Sequence, residues 1–190
     1  MNPQFFVGGF LLPHPPVIVP SVGQGREMEA HATLQAMDTV AALFADWKPE
    51  TVVLISPHAP VFQDFVFFYE PKPGDDQLRG ALRDFGDMQE YSWKWDGVLQ
   101  QRILSVLETR NIQAGTLDAA TFRRYDLKPT LDHGTLVPLH FLSKSGHPFQ
   151  LIVLASAGID AQKLFELGGI IREEAEALGR RTLMVASGDL

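Results

Sequence analysis

Short apolar runs closed by proline or small polar residues alternate with longer stretches of helical period. Residues 5–12 form the first run and end at Pro13-His14-Pro15-Pro16, which reads as a fully buried strand entering a rigid loop. A helix is expected over residues 27–47, where Ala30, Thr33, Met37, Val40, Ala41 and Phe44 share one face and Pro49 stops the ladder. Residues 51–55 are a continuous β-branched run of the kind buried on both faces of a parallel sheet. A further strand is expected at 65–69, then a long irregular segment over 71–93, read as a functional loop or lid.

A helix over residues 95–109 follows, with Val98, Ile103, Val106 and Leu107 apolar. Pro138 marks the start of a short helix. Residues 151–155 and 182–186 are the last two strands, separated by a helix capped by Asp160. Within that helix Gly168-Gly169 disfavours helicity, and close packing on the sheet is the expected reason. The alternation predicts an α/β fold: a three-layer α/β/α sandwich around a mixed, mostly parallel sheet.

Composition narrows the chemistry. The chain has 190 residues, 45% of them hydrophobic and 21% charged, so a packed core is expected rather than disorder. With no cysteine there is no disulfide, thiolate zinc site or cysteine nucleophile. A net charge of −7, with no basic cluster larger than Arg123-Arg124 or Arg180-Arg181, argues against nucleic-acid binding. No apolar run approaches the about 20 residues of a membrane span, so no membrane is expected and the cytoplasm is the default compartment.

Strand ends carry the candidate chemistry. In open α/β sheets, ligands bind beyond the carboxyl ends of the strands. His14 and His58 each follow a buried run and are flanked by prolines, which restrict the backbone around a metal ligand. Either histidine alone also reads as a hydrogen-bonded loop residue. His133, between Asp132 and Gly134, is a candidate acid–base group or a neighbour of a helix cap. His31 is expected in solvent, His140 as a satisfied core or edge histidine, and His147 in a turn. Phosphate-loop, dinucleotide, nucleophile-elbow and His-Glu-x-x-His motifs are absent. Without cysteine, a metal must be held by imidazole and carboxylate, a set that suits Fe(II), Zn(II) or Mn(II).

Four motifs occur in order: Leu12-Pro13-His14-Pro15-Pro16, Ile55-Ser56-Pro57-His58-Ala59-Pro60, Leu131-Asp132-His133-Gly134-Thr135, and Ala186-Ser187-Gly188-Asp189-Leu190. Together they resemble the B-subunit (LigB-like) domain of class III extradiol ring-cleavage dioxygenases. Gly25-Arg26-Glu27 and Asp84-Phe85-Gly86 look closest to the N-terminal domain of AmmeMemoRadiSam system protein A. The resemblance implies an α/β/α sandwich in which His14 and His58 ligate Fe(II), with Zn or Mn as alternatives. It implies that His133 lies beside a small, catechol-like aromatic substrate that reacts with O2.

In that family the last motif continues into a Ser-His pair, and a glutamate ligand follows nearer the C-terminus of the domain. Residues 1–190 are accordingly expected to be the N-terminal part of one such domain, truncated after Ser187-Gly188-Asp189-Leu190 and inactive as a fragment. A homodimer is compatible with the apolar surface such a truncation uncovers. Two other functions compete: a non-catalytic metal-binding or interaction domain of a multidomain protein, and a zinc-dependent hydrolase or lyase.

Overall fold

Strands β1 (Phe6–Pro13), β2 (Thr51–Ser56), β7 (Gln150–Ala155) and β8 (Thr182–Gly188) pair side by side in a computed structural model that describes residues 5–188. In chain order the other elements are α1 (Pro20–Gly23), α2 (His31–Trp47), β3 (Val66–Phe67), β4 (Gln77–Gly80), β5 (Tyr91–Lys94), α3 (Gly97–Thr109), β6 (Ala114–Gly115), α4 (Ala119–Arg124), α5 (His133–Ser143) and α6 (Ala161–Ala177). The central sheet has the order β1-β8-β2-β7 and every pairing in it is parallel. Among the described residues antiparallel pairing is confined to the separate β4–β5 hairpin and a bridge between Phe68 and Leu154.

The three layers follow from the two-residue period of the strands. Val52 and Leu54 of β2, Leu151 and Val153 of β7, and Leu183 and Val185 of β8 pack with Met37 and Phe44 of α2 and Leu136 of α5. Their alternates Val53, Ile152 and Leu154 face Leu99, Ile103 and Leu107 of α3 and Leu167 and Ile171 of α6. One strand therefore feeds two cores, which is why these runs are continuously apolar. Among the described residues no helix is long and apolar enough to cross a membrane.

The predicted elements shift in several places, each for a local reason. β1 is an edge strand, and Leu12 is its one buried residue while Leu11 is exposed. Residues 26–30 form a 3-10 turn, so α2 starts at His31. The segment expected to be irregular over 71–93 contains the β4–β5 hairpin and a 3-10 turn at residues 83–85. Trp95 precedes its helix: it bridges to Leu151, and Asp96 caps α3 by accepting from the Leu99 N–H. Pro138 lies inside α5, the sixth residue of a helix that begins at His133. A Cβ placed on Gly168 or Gly169 meets nothing within 4 Å, so close packing is not what those glycines provide.

Candidate metal centre

Parallel pairing sets the carboxyl ends of β1, β8 and β2 along one rim of the sheet. His14 is the residue after β1, and His58 lies two residues beyond β2. The two strands are not neighbours, because β8 runs between them. Register brings Ser187 of β8 opposite Leu12 of β1, close beneath His14. The third strand end thus fills the gap between the two histidine-bearing ends.

The imidazoles converge across that gap. His14 Nε2 and His58 Nε2 are 3.0 Å apart, with the rings nearly perpendicular at 88°. The His133 ring centroid lies 4.0 Å from that of His58 and 5.6 Å from that of His14. One nitrogen of each of the three lies within 4.8 Å of the others, an arrangement able to hold a metal ion. His14 is buried, His133 is half-buried and His58 is exposed. The structure therefore brings together all three histidines singled out in the sequence.

The other histidines lie elsewhere. His31 is exposed. The His147 ring bonds the Pro49 carbonyl at 2.9 Å, a structural role in its turn. His140 differs from expectation: its buried Nε2 has no hydrogen-bond partner among the described residues, and burial shifts it toward the neutral form.

Asp132 ties the His58 loop to the start of α5. Its carboxylate caps the helix by accepting from the Thr135 N–H at 3.1 Å and also accepts from Ser56 Oγ at 2.6 Å. Ser56 Oγ in turn accepts from the His58 N–H at 3.2 Å. Tyr69 donates to the other carboxylate oxygen of Asp132 at 3.4 Å. Burial, then the charge of Asp132 and the hydrogen bond to it, raise the Tyr69 phenol far above its ordinary range, so it remains a donor. Gly134 lets these parts meet: a Cβ there would stand 2.6 Å from Ser56 Oγ, 2.9 Å from Asp132 Oδ1 and 3.1 Å from His58 Cδ2.

Above the histidines lies a cleft of about 810 Å³, whose walls include His58, Tyr69, Phe85, Asp132 and His133. The Phe85 ring stands 5.1 Å from that of His133, so the segment between β4 and β5 supplies an aromatic wall. The family pattern described as the catalytic LigB subunit of aromatic ring-opening dioxygenase matches residues 8–190.

The chain belongs to the LigB family.

A relative, Protein CA_C1420 of Clostridium acetobutylicum, is 29% identical over 194 residues that cover 96% of this chain and 38% of the relative. The chain thus spans well under half the length of that protein. For a LigB-family domain the general chemistry is the opening of an aromatic ring with O2, and the three-histidine cluster is a possible metal site in it.

Sequence reasoning named His14, His58 and His133 but assigned no role to Ser56, Tyr69, Asp132, Gly134 or Ser187. The Asp132 cap was the readable signal, because an Asp before an apolar helical run also opens α3 at Asp96, α4 at Asp118 and α6 at Asp160. Tyr69 gave no such signal, since its partner lies 63 residues away.

Proposed function

We propose that this LigB-family domain holds a ferrous ion on His14 and His58, with His133 beside a catechol-like substrate in the cleft above. The observation that carries the reading is the 3.0 Å separation of the two Nε2 atoms. Two imidazole nitrogens this close could share one ion, and imidazole is a ligand that suits iron. An iron ion bound there supplies Lewis acidity toward paired substrate oxygens and redox chemistry toward O2.

The chain's own residues supply the rest. Phe85 packs against one face of an aromatic ring, and His133 takes a proton from a substrate hydroxyl. Asp132 and Ser56 hold His58 and the first turn of α5 in register. The direct roles toward metal and substrate proposed here are those of the three histidines and Phe85. Within the family, the domain at the N-terminus of AmmeMemoRadiSam system protein A is the branch we favour. Gly25-Arg26-Glu27, Asp84-Phe85-Gly86 and a relative much longer than this chain support it.

Anaerobic Fe(II) titration of the chain and its His14→Ala and His58→Ala variants tests the ligand assignment. Each variant is expected to lose most of the affinity, and unchanged affinity in both sinks the assignment.

One observation favours a second reading. The clustered groups are three imidazoles with no carboxylate among the described residues, and three histidines with one open position are a known set for catalytic zinc. Metal analysis of protein purified from its native source separates the two. Zinc as the resident metal favours hydrolase or lyase chemistry. Retained iron without oxygen uptake across a panel of catechols favours a metal-binding role without turnover.

A further inference from the structure

We infer that Ser187 is the positioning residue that fixes the tautomer of His14, and that it does so because Pro138 leaves a helix carbonyl available to it. In an α-helix the carbonyl of residue 134 accepts from the N–H of residue 138. Residue 138 is proline and has no N–H, so the Gly134 carbonyl lacks its helical donor. Ser187 supplies the replacement: its Oγ lies 2.5 Å from the Gly134 carbonyl oxygen. A carbonyl oxygen only accepts, so the hydroxyl proton lies between these two atoms.

That commitment decides the next bond. Ser187 Oγ is also 2.9 Å from His14 Nδ1, and both groups are buried. Its single proton is used, so the serine accepts here and His14 Nδ1 carries the proton. In a neutral imidazole the lone pair is then on Nε2, the atom that faces His58 Nε2. The relay runs from a strand to a helix to a strand end, and its product is a ligand nitrogen already in the form a cation requires. Metal-bound histidines commonly donate their second N–H to an oxygen acceptor. Here that acceptor is a serine, itself oriented by a proline-vacated carbonyl.

The inference rests on the proposed metal site for its purpose but not for its test. In the metal-free 190-residue protein at alkaline pH, nitrogen-15 NMR reads the tautomer directly, with the His14 signals assigned by their loss in His14→Asn. A protonated Nδ1 and a bare Nε2 are expected, and the reverse pattern overturns the inference without any variant of Ser187. Ser187→Ala is expected to give a mixture of tautomers and to lower Fe(II) affinity about 10-fold or more, the scale of such outer-shell losses. Ser187→Thr restores the hydroxyl and is expected to recover both. A Ser187→Ala protein with the parental tautomer and affinity overturns the inference. If the parental chain takes up no iron, the proposed iron site fails, while the tautomer measurement still decides this point.

Discussion

The Nε2 atoms of His14 and His58 stand 3.0 Å apart, although their strands do not pair with each other and β8 separates them. The reach across that strand comes from the loops that follow β1 and β2, both stiffened by proline. The His58 loop is then held by Ser56 and Asp132, and the His14 side chain by Ser187.

Replacing His133 separates the iron and zinc readings. His133→Ala is expected to leave Fe(II) affinity near that of the parent if two imidazoles hold the ion, and to collapse Zn(II) affinity if three do. Parallel anaerobic titrations with the two ions check this, and an equal loss of iron would count against a substrate-side role for His133.

Gly134→Ala is expected to destabilise the protein by about 1–3 kcal/mol, the usual scale for overpacking. Its Cβ would press on Ser56 Oγ at 2.6 Å and on Asp132 Oδ1 at 2.9 Å, both fixed by hydrogen bonds. Urea unfolding measures the loss, and metal affinity should fall with it because His58 Cδ2 is the third contact.

Asp132→Ala removes a helix cap and strands two donors. Cap loss costs about 0.5–2 kcal/mol and stranding the buried Ser56 hydroxyl about 1–3, so a combined loss of about 1.5–5 kcal/mol is expected, before the weak Tyr69 arm. Tyr69→Phe tests the weaker 3.4 Å arm alone and should cost much less. Comparable costs for the two variants would show that the cap and the Ser56 bond contribute little.

Asp87 gives a pH dependence of known sign. Burial by itself raises its pKa, but hydrogen bonds from the Gln89 N–H, Ser21 and Tyr91 outweigh that and leave it below the ordinary value of 3.8. A folded pKa below the unfolded one gives stability that is present above pH 3.8 and lost as pH falls toward the folded value. Asp87→Asn should therefore be less stable than the parent near neutrality and show a shallower loss on acidification to about pH 3. Urea midpoints across that range measure both effects. An unchanged acid slope would mean that other carboxylates dominate it.

Gly168→Ala and Gly169→Ala are each expected to stabilise the protein by about 0.5–1 kcal/mol, since a Cβ at either site meets nothing within 4 Å and alanine is the better helix former. Thermal unfolding reads this as a raised midpoint, and a lowered one would point to a contact that a second molecule makes there.

Much of the fold was legible in the sequence. Continuous apolar runs marked β2, β7 and β8, because strands covered on both faces need no polar alternation. The hairpin of β4 and β5 was not legible: each strand is only four residues long, within a stretch dominated by polar residues, and a pattern that short does not fix a strand or its register. β1 misled for the opposite reason, since an apolar run does not say whether a strand lies in the middle of a sheet or at its edge.

By itself the sequence determined the α/β class and singled out the strand ends with His14, His58 and His133 as candidates. Its lack of cysteine limited metal ligands to nitrogen and oxygen. Only the tertiary structure decided that β8 inserts between β1 and β2 and brings Ser187 onto the Nδ1 atom of His14. Strand order is set by how helices cover both faces of a sheet, a balance of non-local burial that no local pattern encodes. The same holds for Pro138. In sequence it marks a helix start, whereas in the folded chain it vacates a carbonyl 53 residues from the serine that takes it.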